Sequence, residues 1–305
     1  MDYTYALTGG KWQHQPVTWS FATSNLLTGL SGYKPIDQFI SDPTIIAAVK
    51  NELSEWSSAS GITFVEVADS VSANIRFGMN APLDMPGGAI GYTWTWGSTS
   101  AGSITAAEEF FSTDLLPGGQ YSAWLSNTVA HEIGRAIGLG TSSNPADVMA
   151  QGNNQSGQLS ASDAAGAQVL YGPSSNVLLI ARLYQAALGR EPDTSGLNYY
   201  ITNYANGQGQ SLSTFATGFI NSPEFTSLYG NINTMSNTAY ITALYANVLH
   251  RIPVQSEINY YLNDIAGGDS EANILLHFSA SPENVSLTGY LSSLHLSPTD
   301  GTWSL

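Results

Sequence analysis

The chain has 305 residues, enough for one or two domains with full hydrophobic cores. It carries 8 basic and 23 acidic residues, a net charge of −15, spread evenly: 5 against 14 up to Pro173 and 3 against 9 beyond it. Such even acidity, with no basic stripe, argues against nucleic acid or anionic membrane as a partner; the absence of cysteine excludes disulfides and thiolate metal sites, and no apolar run approaches a membrane span.

Residues 1–32 read as an N-terminal segment with one strand, 17–21, in which Val17, Trp19 and Phe21 alternate with Thr18 and Ser20. Ser41-Asp42-Pro43 opens a helix whose buried stripe is Ile45, Val49, Leu53 and Trp56, and Gly61 ends it. Strands follow at 62–67 and 74–78. After Gly87-Gly88, the stretch 89–96 places Tyr92, Trp94 and Trp96 on one face and Thr93 and Thr95 on the other. Packing of those aromatics against a helix is the preferred reading, a peptide-binding edge the other. A further strand at 103–107 is expected to end at Glu108-Glu109. This order predicts a twisted mixed sheet backed by helices. Residues 121–139 form a long helix in which Ala123, Asn127, Ala130 and Gly134 make a small-residue face suited to close packing on the sheet.

That helix carries the chemistry. Residues 128–149 read T-V-A-H-E-I-G-R-A-I-G-L-G-T-S-S-N-P-A-D-V-M. His131-Glu132, Gly134, Gly138, Leu139, Gly140 and Val148-Met149 resemble the zinc-binding helix and Met-turn of the metzincin metallopeptidases, closest to their serralysin and matrixin branch. Leu7 to Trp12, Ala73 to Gly78 and the L-S-A-S-D segment at 159–163 are similar to serralysin catalytic domains as well. The resemblance implies a fold with a long active-site helix, zinc held by three imidazoles of H-E-x-x-H-x-x-G-x-x-H, a glutamate base, and a peptide substrate added to an edge strand. Imidazoles at i and i+4 share a helix face and can grip one ion, whose bound water falls to a pKa near roughly 7. The adjacent glutamate takes the proton as that water attacks a carbonyl.

In this sequence the pattern reads H-E-x-x-R-x-x-G-x-x-T. His131 holds a ligand place, Glu132 the base place and Met149 the apolar floor, but Arg135 and Thr141 occupy the other two ligand places. A guanidinium stays protonated and has no lone pair to give. The tyrosine expected soon after Met149 is replaced by Ala150-Gln151-Gly152. Three readings follow: a metal-free pseudopeptidase in which Arg135 fills the hole and pairs with Glu132 or Asp147; an active enzyme recruiting Asp147, Glu108 or His14; or a variant of a parent with both histidines. Glu108, Glu109 and Asp114 read as surface acids or as the calcium cluster that the resemblance implies.

Ser160-Ala161-Ser162-Asp163 is a capping box opening a helix at 164–171, and Gly172-Pro173-Ser174-Ser175 is a linker. Beyond it the chain repeats. Leu183-Tyr184, Arg190-Glu191-Pro192 and Leu197-Asn198-Tyr199-Tyr200 recur 61 positions later, and Phe219 with Ser222-Pro223-Glu224 recurs 59 positions later. This resembles an uncharacterised helical repeat common at the ends of bacterial secreted proteins, and implies cell-surface association more than chemistry. Glu191, Asp193 and Ser195 read as a solvated loop rather than a calcium site, and His250, His277 and His295 as isolated histidines. The glycine-rich calcium nonapeptide usual in serralysins does not occur.

The expectation is therefore an α/β (α+β) metzincin-like domain over 1–173 and an all-α domain over 174–305 with tandem repeats at about 177–229 and 238–287. Its expected role is that of an extracellular relative of zinc endopeptidases, exported by a type I system without an N-terminal signal peptide. It would bind a peptide or protein partner through a degraded site; an active metalloendopeptidase and a surface-attachment protein are the competing classes.

Overall fold

A computed structural model describes residues 5–26, 35–98, 102–151, 157–205 and 210–305, and the chain divides into two compact units, one up to Ser174 with Thr299–Gly301 and one of Ser175–Pro298 with Thr302–Leu305. The first unit is a six-stranded sheet with helices. Its strands are β1 (Lys11–Trp12), β2 (Val17–Phe21), β3 (Phe64–Glu66), β4 (Ile75–Asn80), β5 (Gly91–Ser98) and β6 (Ser103–Ser112). The order β1-β6-β4-β2-β3 is parallel throughout, and β5 lies antiparallel on the other side of β6, with no described strand beyond it. Parallel strands need helical crossovers, and α1 (Pro43–Ala59) supplies one, capped by Asp42, whose carboxylate accepts from the Thr44 and Ile45 amides. Its stripe of Ile45, Val49, Leu53 and Trp56 is fully buried against Trp19, Ile75, Phe77 and Phe111 of the sheet cluster.

Two differences from the sequence expectation position the site. Glu108 and Glu109 do not end a strand: β6 runs on to Ser112, with both carboxylates buried at its middle, so they are not surface acids. Helix α2 is shorter than the expected 121–139, spanning Leu125–Ala136 after a 3-10 turn at Ser122–Trp124. Gly138, at φ +101°, takes the chain out of the helix where an added Cβ would lie 2.1 Å from the Gly10 carbonyl oxygen. The buried carbonyls at and just beyond the C-terminus of α2 are satisfied from outside the helix: Trp12 Nε1 donates to Ala136 O, Tyr171 Oη to Ile137 O, and Thr8 N and Oγ1 to Gly138 O. After the 142–150 turn, α3 (Ala161–Tyr171) begins at the expected Ser160–Asp163 capping box.

The second unit contains α4 (Ser175–Leu188), α5 (Thr194–Ala205), α6 (Leu212–Ile220), α7 (Pro223–Tyr229), α8 (Asn237–Val248), α9 (Gln255–Ala266), α10 (Glu271–Ala280) and α11 (Pro282–Leu287), then a hairpin of β7 (His295–Leu296) and β8 (Trp303–Ser304). Tyr184 meets Phe219 edge-on at 4.9 Å and Tyr245 meets Phe278 in the same way at 4.9 Å. Arg190 lies over Tyr184 and pairs with Glu224; Arg251 lies over Tyr245 and pairs with Glu283. Among the described residues, no helix is long and apolar enough to cross a membrane.

Candidate functional site

The site is built where α2 lies on β5 and β6. Alternation along β6 sends Ala107, Glu109 and Phe111 to the α2 side and Glu108 and Phe110 to the other. On β5 the same alternation turns Thr93 towards α2, and its hydroxyl donates to Glu132 Oε2 at 2.6 Å, with Glu132 O as an alternative acceptor at 3.0 Å.

Opposite them, Tyr92, Trp94 and Trp96 form a ladder with ring centroids 6.2 Å apart and pack on Phe110, Ile36 and Met85. They therefore cover the reverse face of the sheet, away from His131 and Glu132. Neither packing on a helix nor lining the α2 side of a cleft describes them. The small face of α2 also differs from expectation. Gly134 admits Met149 and Trp56 rather than the sheet, since a Cβ there would lie 2.3 Å from Met149 Sδ and 2.9 Å from Trp56 Cζ2. Trp56 Nε1 donates to Ala130 O on the same face.

His131 is half-buried, and its Nδ1 lies 2.8 Å from Val148 O. A carbonyl only accepts, so Nδ1 is the protonated nitrogen of this contact, and Nε2 is the ring nitrogen left to face outward from it. Val148 and Met149 are held in turn by Asp163, whose two oxygens accept from the Val148 amide at 2.8 Å and the Met149 amide at 3.2 Å. Asp163 thus serves both the α3 cap and the turn that orients His131. The S-x-x-D signature reveals the first of these roles; nothing in the sequence signals the second, nor the part played by Thr93.

Burial pushes the Glu132 carboxyl up, and the charges of His131 and Arg135 and the Thr93 hydrogen bond pull against that rise. Glu109 is fully buried with neither carboxyl oxygen hydrogen-bonded. Burial, and then the charge of Glu132, hold it well above the usual carboxylate range. Both causes favour the protonated form of Glu109 beside Glu132.

Arg135 is half-buried one turn along from His131. Among the described residues it forms no ion pair, so the expected pairing with Glu132 or Asp147 is not made, although its charge is felt by Glu132. Asp147 instead accepts from Ser142 Oγ, Asn144 Nδ2 and Ser160 Oγ. Glu108 pairs with Arg76 on the reverse face, where Arg76 also binds Asp69. His14 and Thr141 are exposed. Of the substitute ligands considered from sequence, Asp147 and Glu108 are therefore committed to other partners. Gln151 is exposed, and Gly152 lies outside the described residues. A three-ligand zinc centre with an open water position needs three donors, and of the three ligand places His131 offers one imidazole nitrogen while Arg135 offers a guanidinium without a lone pair and Thr141 a hydroxyl. The residues present do not fit such a centre.

The Matrixin family profile matches residues 11–172, and a family described as Domain of unknown function (DUF4214) matches residues 159–213 and 216–288. Metalloendoproteinase 1-MMP of Arabidopsis thaliana is 26% identical over 188 residues, covering 58% of this chain and 49% of its own length. Human Matrix metalloproteinase-16 is 27% identical over 190 residues, covering 57% and 29%, and human Neutrophil collagenase 29% over 165 residues, covering 50% and 33%. The chain thus spans half or less of the length of each of these relatives.

Proposed function

The chain belongs to the matrixin family through residues 11–172, with a metalloproteinase-like domain there, and from that premise we propose that this domain is a pseudopeptidase, keeping a peptide-binding cleft while lacking a zinc centre. The observation that carries this reading is Arg135, which stands where a second ligand would grip the ion with His131 and has no lone pair to offer. The support that Val148 gives His131, and the placement of Glu132 against Thr93, are consistent with a peptidase scaffold. The outer edge of β5 supports the same reading, since an extended peptide could add there by main-chain hydrogen bonds. Within the family, the segments at 7–12 and 159–163 favour a serralysin-like subtype.

We assign the helical unit two tandem copies, α4–α7 and α8–α11, on the strength of their matching arginine–tyrosine and tyrosine–phenylalanine contacts. Its proposed role is surface attachment of an extracellular protein exported by a type I route. If deletion of residues 174–305 leaves surface retention unchanged, that role is wrong.

The test of the pseudopeptidase is elemental analysis of unchelated protein together with a casein-cleavage assay. Substoichiometric zinc and no chelator-sensitive cleavage are expected; stoichiometric zinc with such cleavage makes the chain an active metalloendopeptidase and overturns the reading. Arg135→His with Thr141→His is expected to create zinc affinity measurable by competition with a chromogenic chelator.

A further inference from the structure

The two helical copies differ in one respect that their shared contacts do not explain. In the first copy, α5 buries Leu197 and Ile201, 1% and 5% exposed. Between them Asn198 grips the chain's own C-terminal strand: its Nδ2 donates to Trp303 O at 2.9 Å and its Oδ1 accepts from Trp303 N at 2.8 Å. An amide side chain here pairs with a backbone as a neighbouring strand would, and Trp303, at 2% exposure, is seated in the same unit. In the second copy, 61 positions on, Ile258, Asn259 and Leu262 take the places of Leu197, Asn198 and Ile201. The donor–acceptor amide and the two flanking aliphatic residues are all kept, yet α9 has no fully buried residue, and Ile258 and Leu262 are only half-buried. Asn259 is exposed, and among the described residues its Oδ1 accepts from Gln255 Nε2, one turn earlier on the same helix. The outward face does not differ between the copies: Tyr199 and Tyr260 are 59% and 61% exposed. The contrast in burial falls on Leu197, Asn198 and Ile201, beside the strand that Asn198 holds on α5.

We propose that the Ile258–Asn259–Leu262 face of α9 is a docking site for an extended, tryptophan-bearing segment of another protein, held as β8 is held on α5. Asn259 would pair with the backbone N–H and C=O of the tryptophan, and Ile258 and Leu262 would flank its indole. A second copy of this chain is the weaker occupant, because its own strand already sits on α5 at the high effective concentration of a tethered segment and exchange gains no contact. The site rests on the two-copy reading given above.

The test uses the intact chain and a fluorescently labelled synthetic peptide of residues 295–305, followed by anisotropy. Saturable binding is expected, weakened about tenfold in Asn259→Ala by the loss of two hydrogen bonds and retained in Asn198→Ala. In Asn198→Ala the native strand should loosen from α5, read as faster proteolysis between residues 296 and 303. Failure of that loosening counts against the described α5 contact and the two-copy reading, whatever the peptide does. Absence of saturable binding, or binding indifferent to Asn259→Ala, overturns the docking site. Self-association of the chain that Asn259→Ala abolishes gives the face to a second copy and overturns the choice of partner.

Discussion

Glu109 is the residue at which the site departs furthest from ordinary packing. A fully buried carboxyl with no hydrogen-bond partner forgoes its hydration without compensation, and it sits beside Glu132, whose ionisation it must tolerate. Replacing both a buried acid and its desolvation cost by an apolar side chain of similar volume is neutral or stabilising when no partner is stranded. Glu109→Met is therefore expected to raise stability by about 1 kcal/mol, seen as a higher urea midpoint with an unchanged slope. Removing the neighbouring acid leaves Glu132 facing one carboxyl fewer. A loss of stability in this variant would mean that Glu109 is bound by something in the folded protein. Thr93→Val works in the opposite sense: it strips Glu132 of its 2.6 Å donor and is expected to cost about 1–2 kcal/mol, read from the same titration.

At the level of elements, the helix motif was legible because its spacing is chemical: His131, Glu132, Gly138 and Met149 lie on α2 and its following turn. So were β2, matched residue for residue, and the caps at Asp42 and Ser160, which are local hydrogen bonds. The reach of β6 was not, because two consecutive glutamates look like a solvated strand end. Only the pairing partner shows that Arg76 on β4 meets Glu108 from one side while Glu109 faces α2. Alternation placed the three aromatics of β5 on one face correctly, but which face meets the helix is a tertiary fact. The bend between α8 and α9 holds a further signal of this kind. His250 has φ +56°, at the position where Gly189 has φ +65° in the loop between α4 and α5. A side chain in the left-handed region costs roughly 1–2 kcal/mol, less for a polar residue tolerant of it. His250 is exposed, so little packing is lost on its removal. His250→Gly is expected to raise the thermal midpoint by a gain of about 0.5–1 kcal/mol; a lower midpoint would show that the imidazole makes contacts that outweigh the strain.

For the molecule as a whole, buried acids set how stability depends on pH. Burial raises the Glu52 carboxyl on α1 to about 7, against a hydrogen bond from Ser126, and also raises Glu109 well above 4.5. Between the ordinary value of 4.5 and the raised folded value, the folded chain holds protons that the unfolded chain has released. Unfolding free energy therefore falls as pH rises through that window. Asp69 acts in the reverse direction. Burial would raise it, but hydrogen bonds from Arg76 and Thr23 hold it well below the usual range, so its contribution is present above 3.8 and lost as pH falls beneath that. The two trends place the optimum of stability in weakly acid solution, near pH 4–5, with a decline towards pH 8 despite a net charge of −15 that is already repulsive at neutrality. Urea midpoints measured at pH 5 and pH 8 should differ with the pH 5 value higher, and Glu52→Gln should narrow the difference by removing one of the groups that ionises across it. A midpoint that rises from pH 5 to pH 8 would mean that these carboxyls ionise in the folded protein as readily as in the unfolded chain.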